Sequence, residues 1–576
     1  MANKTFSPNQ LLRTAEIGTR YHSWNEGRYR IALVYPNGYQ QGMGNLGFQT
    51  VYHLINQRED CLCERFFLPE AATGNTISPL LSIESDRPLR DFDLIALSIS
   101  FENDYLHLPA IFAAGNIPLF AAQRQSADPL VLFGGVCAFI NPEPVAEIAD
   151  LIAVGEAEPI LPLLLDALHD AMHQASLPRN ELLLALAQLP GVYVPHFYQP
   201  LYATGGITYQ RSAPVPNRIR RQYLQDLDSS ASRTYVQSEA AGFGHMALVE
   251  VSRGCSRGCR FCAAGFVYLP PRERSLDNLL QQVDHGLCQR NRIGLVAAAI
   301  ADYSQVVPLQ QGIVDRGGEI SVSSLRLDAI DAEAVALLTQ AGHASVAIAP
   351  EAGSQRLRDV INKGLSEEQI LSAVQLLTDG GIKHLKLYFL IGLPFEQMSD
   401  IEAIIALVQR IAAIRQDSGK ARGHMGNLTV SVNPFIPKPF TPFQWAGMEG
   451  EKSLKKKGRL LQSACSRIPN TRFMMESVRL AVLQAFLSRG DRRIAAMLPE
   501  LATGGNLRQL CAAAKLPLLE ELTRERGQDE AFAWEIIDSG VRREYLWREY
   551  QRAAEQRLTP PCAPGCCRCG VCSQSG

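Results

Sequence analysis

The sequence predicts two successive α/β units followed by a helical region. Short apolar runs alternate with helix-length segments over the first 210 residues, and the same alternation restarts after a polar connector. Strand signals become rare after residue 454. We therefore expect a doubly wound parallel sheet in residues 1–210, a linker over 211–243, a partial (β/α)6 barrel in 244–454 and a helical region with a Cys-rich tail in 455–576.

The first unit takes its strands from apolar runs that Gly or Pro interrupts. A helix is predicted from Asn45 to Asn56, where apolar positions recur at helical spacing. Ligands of such sheets bind beyond the carboxyl ends of the strands, so the loops after the strands form the expected binding edge. The predicted strands are Arg30–Pro36, Asp93–Ser100, Pro129–Gly135 and Asp150–Gly155.

The second unit repeats the strand and helix alternation six times, which is typical of a partial (β/α) barrel. Ser366 with Gln369 predicts a capping box at the start of a helix that ends at Gly380. The reactive face of such a barrel lies at the carboxyl ends of its strands. The predicted strands are Ala247–Ser252, Gly294–Ala301, Glu319–Leu325, Ser345–Ala349, His384–Ile391 and Leu428–Asn433.

The composition is that of a globular protein, with 46% hydrophobic and 20% charged residues and a net charge of −2. This small net charge gives no overall electrostatic attraction to nucleic acid or to a membrane. A local basic patch such as Lys455–Arg459 keeps RNA among the partners that the sequence does not exclude. The N-terminus has no apolar signal core, and no uninterrupted run of about eighteen apolar residues is present. We expect no membrane association and a cytoplasmic location.

Eight of the 14 cysteines lie in two clusters. Cys255, Cys259 and Cys262 follow the first predicted barrel strand with the spacing CxxxCxxC, and interleaved arginines are expected to favour their thiolates. Three thiolates can hold a four-iron cluster and leave one iron open to a small molecule. The alternative is a zinc site, which needs a fourth ligand, and the nearest is His245.

This cluster resembles that of the radical S-adenosylmethionine (SAM) superfamily. Residues 321–328 (SVSSLRLD), 347–354 (AIAPEAGS) and 388–394 (YFLIGLP) are similar to segments of the same superfamily. The resemblance implies a [4Fe-4S] cluster on Cys255, Cys259 and Cys262 and SAM as the molecule bound at the open iron. It implies roles for Arg326 at the SAM carboxylate, Glu351 and Ser354 at the ribose or methionyl part, and Phe261, Ile391 and Gly392 at the adenine. For Arg326 and Glu351 a structural ion pair at the barrel rim is the alternative.

The N-terminal unit resembles the cobalamin-binding domain that precedes the barrel in one radical SAM class, and the overall resemblance is to a family with such a domain and a Cys-rich C-terminus. Tyr39 stands where that class has its cobalt-binding His, whereas the glycine at Gly42 is kept. Ser98, Gly134 and Gly135 occupy the positions near the nucleotide tail. Either cobalamin binds without a ligand from this loop, or the unit shapes the substrate cavity.

The C-terminal tail carries the second cluster. Cys562, Cys566, Cys569 and Cys572 have the spacing CxxxCxxCxxC, and four soft ligands in eleven residues can hold zinc or a second iron–sulfur cluster. The sequence alone does not separate these two metals.

The sequence therefore predicts a radical SAM enzyme that cleaves SAM reductively to a 5′-deoxyadenosyl radical. Bound cobalamin would make methyl transfer to an unknown substrate the expected reaction. The alternatives are methylthiotransferase-like or other radical SAM chemistry without cobalamin, and a non-catalytic iron–sulfur redox protein. The expected partner is an electron donor such as flavodoxin or ferredoxin.

Overall fold

The computed structural model describes residues 8–572 except 25–26, 70–78, 174–176, 323–326, 341–342 and 424. It contains an N-terminal sheet, a set of parallel barrel strands and a C-terminal region rich in helices. None of the helices in these described residues is both long and apolar enough to cross a membrane.

The N-terminal sheet has six strands in the order β2-β1-β3-β4-β5-β6. The first five pair in parallel, and the short edge strand β6 is antiparallel to β5. The order 2-1-3-4-5 is that of a doubly wound sheet, whose strand order reverses between β1 and β3 and so opens a binding crevice there. The strands are β1 Tyr29–Gly38, β2 Cys61–Leu68, β3 Leu94–Ser98, β4 Leu130–Gly134, β5 Leu151–Ala153 and β6 Val192–Tyr193.

Helices cover this sheet and fix the loops at its carboxyl edge. Asn45 caps the predicted helix at its start, because its side chain accepts a hydrogen bond from the backbone N–H of Phe48. The helices are α1 Pro8–Ala15, α2 Tyr39–Met43, α3 Leu46–Asn56, α4 Leu108–Gly115, α5 Val136–Ile140, α6 Ala157–His173 and α7 Arg179–Leu186.

The predicted linker contains a short strand, β9 Ile219–Arg220. An antiparallel hairpin, β7 Tyr198–Ala203 with β8 Gly206–Arg211, precedes it at the end of the first predicted unit. The strand β9 pairs with a strand near the C-terminus, so the polar connector is held by the last part of the chain.

The barrel strands form two parallel groups, β10-β13-β14 and β15-β16-β17-β18. The six predicted strands are present, and β18 adds a seventh from the region predicted to be helical. The short strands β11, β12 and β19 lie outside these two groups. The strands that follow β9 in the chain are β10 Ala247–Glu250, β11 Ser252–Arg253, β12 Arg272–Glu273, β13 Arg292–Val296, β14 Glu319–Val322, β15 Ser345–Glu351, β16 His384–Ile391, β17 Asn427–Pro434, β18 Thr471–Met475 and β19 Ile537–Asp538.

Helices follow the barrel strands and build the C-terminal region. The capping box of Ser366 and Gln369 is present as predicted, with both reciprocal hydrogen bonds. The helices are α8 Ala264–Val267, α9 Leu276–Leu287, α10 Val306–Asp315, α11 Ala332–Gln340, α12 Gln355–Val360, α13 Glu367–Asp379, α14 Met398–Arg422, α15 Glu451–Cys465, α16 Val478–Arg489, α17 Leu498–Ala502, α18 Leu507–Ala513, α19 Leu518–Thr523 and α20 Arg543–Ala554.

The hydrophobic core is divided unevenly between these parts. One large cluster of buried side chains includes the N-terminal sheet, strands β15 to β17 and the C-terminal helices. A second, smaller cluster packs β10 and β13 against α9 and α10. The loop that joins β10 to α8 lies beside both clusters, and it carries the first three clustered cysteines.

Candidate functional site

The cysteine loop leaves the carboxyl end of β10 and enters the short helix α8. The chain turns sharply at Gly254, where φ is +88° and an added Cβ would lie 2.7 Å from the carbonyl oxygen of Tyr268. Glycine therefore allows the loop to pack against its own return segment. None of the described cysteines is in a disulfide, so the thiols of Cys255, Cys259 and Cys262 are free.

The protein environment keeps two of these thiols neutral. Burial raises the pKa of Cys259 to about 12, an effect that the nearby ammonium group of Lys363 opposes. Burial also raises the pKa of Cys262, although backbone N–H groups of Gly265 and Ala264 donate hydrogen bonds to its sulfur. Binding of a metal would replace these protons, so metal uptake at this loop would release protons.

The donor set fits a multi-iron cluster better than a single ion. The charges of Cys255, Cys259 and Cys262 act on one another, so the three thiols are neighbours. Structural zinc sites use four ligands, whereas three thiolates can hold a four-iron cluster and leave one iron open.

The arginines of the loop are engaged mainly with carboxylates. Arg253 pairs with Glu250, Arg257 pairs with Asp302, and the guanidinium of Arg260 is buried against a distant carboxylate. The charges of Arg257 and Cys255 also act on each other, as the sequence suggested for the loop. The cation that does act on Cys259 is Lys363, which the sequence did not indicate.

Glu351 lies at the end of β15 beside this loop. Its backbone is in the left-handed region, with φ of 65°, where the pairing register between β15 and β16 shifts. A non-glycine residue held there costs of the order of 1–3 kcal/mol, a strain that is common at functional sites. Burial raises the pKa of the Glu351 carboxyl, while an ion pair of 3.2 Å to Lys363 opposes the rise.

Ser354 and Gly392 already make hydrogen bonds within the protein. The hydroxyl of Ser354 caps α12 by accepting the backbone N–H of Leu357 and donates a hydrogen bond of 2.5 Å to Asp400. Gly392, at the end of β16, donates its N–H to both carboxylate oxygens of Glu396 at 3.0 and 3.1 Å. The predicted SAM contacts of Ser354 and Gly392 therefore compete with partners inside the protein.

The other predicted SAM contacts differ in their surroundings. Ile391 is fully buried in the main core, and Phe261 is partly buried against the same core. Arg326 lies outside the described residues. The SAM-binding role of these residues stays a prediction.

A cavity of about 510 Å³ separates the N-terminal sheet from the barrel. Its apolar part penetrates between the sheet and helices α3 and α6, with side chains such as Leu33 and Leu161. Ser98, Gly134 and Gly135 line it at the carboxyl edge of the sheet, as predicted for the ends of β3 and β4. Gly254, Ala264, Glu250, Ser252 and Arg253 line it from the barrel side, so the cysteine loop and the N-terminal sheet share one space.

Buried ion pairs fix the two sides of the cavity. Arg253 of the barrel contacts Glu156 at 2.7 Å and Glu158 at 2.9 Å, both from the loop and helix that follow β5. Arg272 adds a second link to Glu156 at 2.7 Å. Because these groups are largely buried, separating the two sides would leave uncompensated charges, which is strongly unfavourable.

Comparison with protein-family models identifies both halves of this arrangement. Residues 249–408 match the model of the radical SAM superfamily, and residues 47–195 match that of the N-terminal region of radical SAM proteins. The chain belongs to the radical SAM superfamily. This membership supports an enzyme, implies a [4Fe-4S] cluster and SAM as its cofactors, and implies an electron donor, since radical SAM enzymes generally need one.

Two curated relatives and two solved structures are similar to the chain. An uncharacterized protein of Methanocaldococcus jannaschii is 28% identical over 471 residues, 81% of this chain and 89% of that one. An uncharacterized methyltransferase of Pyrococcus horikoshii is 22% identical over 220 residues, 36% of this chain and 47% of that one. The cobalamin-dependent SAM radical enzyme OxsB, with aqua-cobalamin and SAM bound, has a TM-score of 0.45 at 13% identity and covers 92% of this chain and 79% of its own. Coproporphyrinogen III oxidase of Escherichia coli has a TM-score of 0.29 at 16% identity, over 38% and 52% of the two chains.

Tyr39 and Gly42, predicted to bind the cofactor, do not line the cavity. Tyr39 is buried, and its hydroxyl donates a hydrogen bond of 2.6 Å to Glu16. Gly42 packs against Phe67, whose ring would lie 2.4 Å from an added Cβ. The stretch that resembles a cobalt-binding loop therefore stabilises the N-terminal fold in this protein.

The C-terminal tail lies against the cysteine loop. The backbone N–H of Cys562 donates to the carbonyl oxygen of Ser256 at 2.6 Å. Asn362 holds the same neighbourhood, because its side-chain amide donates to the carbonyl oxygen of Gly258 and its oxygen accepts the backbone N–H of Thr559. The sequence offered no signal for Asn362, whose contacts join segments about 100 and 200 residues away.

Proposed function

We propose that this protein is a radical SAM enzyme whose [4Fe-4S] cluster is held by Cys255, Cys259 and Cys262. The observation that carries the proposal is the grouping of these three thiols with Glu351 and Lys363 at the carboxyl ends of barrel strands. One electron and SAM would yield methionine and a 5′-deoxyadenosyl radical, which would abstract a hydrogen atom from the substrate. The bound cluster supplies that electron and an open iron for the SAM amine and carboxylate.

The surrounding residues have separate roles in this proposal. Lys363 stabilises negative charge at Cys259 and at Glu351, so it supports thiolate ligation inside a buried site. Glu351 would face the SAM ribose or methionyl part, since its carboxylate lies next to the cysteine loop. Arg326 and Ile391 are assigned to the SAM carboxylate and adenine by resemblance alone.

We further propose that the shared cavity binds cobalamin and that the reaction is methyl transfer to a carbon atom of the substrate. The end of β4 leaves open space at the cavity edge, because an added Cβ at Gly134 would meet no atom closer than the Leu97 carbonyl oxygen at 3.9 Å. No histidine occurs among the described residues that line the cavity, so these residues offer the cobalt no imidazole ligand. The methyltransferase name of the Pyrococcus relative supports this choice of reaction.

Anaerobic reconstitution tests the first proposal. The protein is loaded with iron and sulfide, mixed with SAM and dithionite, and assayed for 5′-deoxyadenosine by mass spectrometry. The Cys255→Ala/Cys259→Ala/Cys262→Ala variant should lose the product, whereas Cys288→Ala, at an exposed cysteine elsewhere, should keep it. Product formation by the triple variant, or a loaded cluster that never cleaves SAM, would contradict radical SAM activity.

Cobalamin retention tests the second proposal separately. The purified protein is incubated with hydroxocobalamin, desalted and measured by its visible absorption. Gly134→Leu places a side chain at the cavity edge, where an added Cβ meets nothing closer than 3.9 Å, and should abolish retention, whereas Leu201→Ala, at an exposed position of the hairpin β7–β8, should not. Equal retention by both variants would mean that this cavity does not hold the corrinoid.

A further inference from the structure

The chain end folds back over the loop that carries the first cluster. Besides the bond from Cys562 to Ser256, the buried guanidinium of Arg260 donates to the carbonyl oxygen of Arg557 at 2.6 Å. The loop and the tail thus contact each other through backbone atoms and through the Arg260 side chain. This segment, residues 557–572, is called the tail strap below.

The tail strap is also anchored at its far end. The backbone N–H of Arg542 donates to the carbonyl oxygen of Cys569 at 2.8 Å, and the side chain of Arg542 donates to the carbonyl oxygen of Cys567 at 2.9 Å. Cys569 and Val571 form a small buried cluster with Leu269, two residues beyond α8. The tail strap is therefore fixed at both ends and lies close to the cysteine loop.

Cysteines from both clusters line one small cleft under the strap. Cys255 faces it from the loop, and Cys562, Cys566 and Cys569 face it from the strap. The charges of Cys566, Cys569 and Cys572 act on Cys562, so Cys572 belongs to the same group. Four soft donors are consequently held together next to the loop of three.

The loop separates this cleft from the large cavity. Gly254 and Ala264 line the cavity, whereas their chain neighbours Cys255 and Gly265 line the cleft. A group bound by the strap would therefore lie beside Cys255 and outside the large cavity. On the outer side of the strap, Cys572 is exposed to solvent.

We propose that Cys562, Cys566, Cys569 and Cys572 bind a second iron–sulfur cluster that relays electrons from a protein donor to the cluster on the loop. Four cysteines ligate every iron of a four-iron cluster, which leaves no open iron for SAM and suits electron transfer. A reduced flavodoxin or ferredoxin gives one electron to the strap cluster and is itself oxidised by one electron. That electron then passes to the loop cluster, and no bond is made or broken in the transfer.

The relay rests on the proposed function in taking the loop as the first cluster, so the metal of each set is measured separately. The variant Cys566→Ser/Cys572→Ser removes two strap ligands and leaves the packed Cys569 in place. Its matched control is Cys567→Ser, which changes an exposed cysteine of the same strap that lies outside the ligand spacing. Iron, sulfide and zinc are determined after anaerobic reconstitution, and circular dichroism verifies folding.

The double variant should lose half of the iron, and Cys567→Ser should lose none. The Cys255/Cys259/Cys262→Ala variant should lose the other half. Unchanged iron in the double variant, or zinc in the strap, would overturn the relay and leave the loop cluster standing. Full iron in the triple variant would instead refute the loop cluster and with it the proposed function.

The electron path has its own readout. Reduction of the loop cluster is followed by electron paramagnetic resonance, with dithionite or with reduced flavodoxin as the donor. In the double variant the flavodoxin-driven rate should be lost, while dithionite, a small reductant, still reduces the loop cluster. Equal rates with flavodoxin in the double variant and in Cys567→Ser would overturn the relay.

Discussion

Replacement of Arg260 by Ala is expected to destabilise the fold far more than replacement of Arg257, although both arginines stand in the same cysteine loop. The Arg260 side chain is fully buried and donates to Glu549 through Nε at 3.1 Å and Nη2 at 3.0 Å. It also donates to backbone carbonyl groups on α12 and on the tail strap. Removal of the guanidinium takes both of these short hydrogen bonds from the buried carboxylate and leaves it the longer contact of 3.7 Å with Arg552.

The size of the effect follows from that burial. Breaking a buried ion pair by removing one partner costs about 3–5 kcal/mol. For a cooperative unit of about 150–250 residues, each kcal/mol shifts the melting temperature by roughly 2–4 °C, which gives a decrease of roughly 6–20 °C. The ion pair of Arg257 with Asp302 is partly exposed, so Arg257→Ala should cost at most about 1 kcal/mol.

The assay is thermal unfolding of the metal-free proteins, followed by circular dichroism. Limited proteolysis reports on the tail strap, which should be cleaved faster in Arg260→Ala because one of its anchors is lost. Equal melting temperatures for the two variants would refute the argument, since burial would then not determine the cost. A variant Arg260→Lys should recover only part of the loss, because an ammonium group cannot reproduce the planar set of donors.

Three further predictions concern the pH dependence of folding and the cavity edge. Burial raises the pKa of Glu156, but hydrogen bonds and charges of Arg272 and Arg253 outweigh burial and lower this pKa from its ordinary value of 4.5. The stabilisation that the carboxylate gives is therefore present above pH 4.5 and is lost as the pH falls through the folded pKa. Glu156→Gln should be less stable than the native protein at pH 7 and nearly equal to it at low pH, which denaturant titrations at several pH values can show. Gly135→Ala should cost at least about 1–3 kcal/mol because of its φ of +91° and its contact with Ile99, whereas Gly134→Ala, with 3.9 Å to its nearest neighbour, should cost less, as their melting temperatures can show. Lys363→Met should raise the pH needed for anaerobic iron uptake, because Lys363 lowers the pKa of Cys259; an unchanged pH profile would contradict this role.

Local patterns in the sequence were sufficient for much of the fold. The strand β16 has the predicted bounds, and the capping box lies where its residues predicted it. The strand β2 was missed because Glu64 and Arg65 interrupt its apolar run, yet both are buried. Arg65 is paired there with Glu16 and Glu84, which are distant in the chain and leave no periodic signal.

The candidate site shows the same limit. The cysteine spacing predicts a cluster at the loop, because the proposed ligands are neighbours in sequence. The pairing of Arg253 with Glu156 and Glu158, and the position of Lys363 beside Cys259, depend on contacts between separate elements. Such contacts are made by tertiary packing, and a single sequence does not encode them at a fixed spacing.

The course of the tail strap has a consequence for the order in which the protein matures. The ribosome makes the loop 306 residues before the strap residue that bonds to it, Cys562 to Ser256. Synthesis proceeds from the N-terminus at roughly 5–20 residues per second, so the loop stands uncovered for some 15–60 s in each new chain. Iron delivery to the loop thus has a period of open access, which ends when the last cysteines dock.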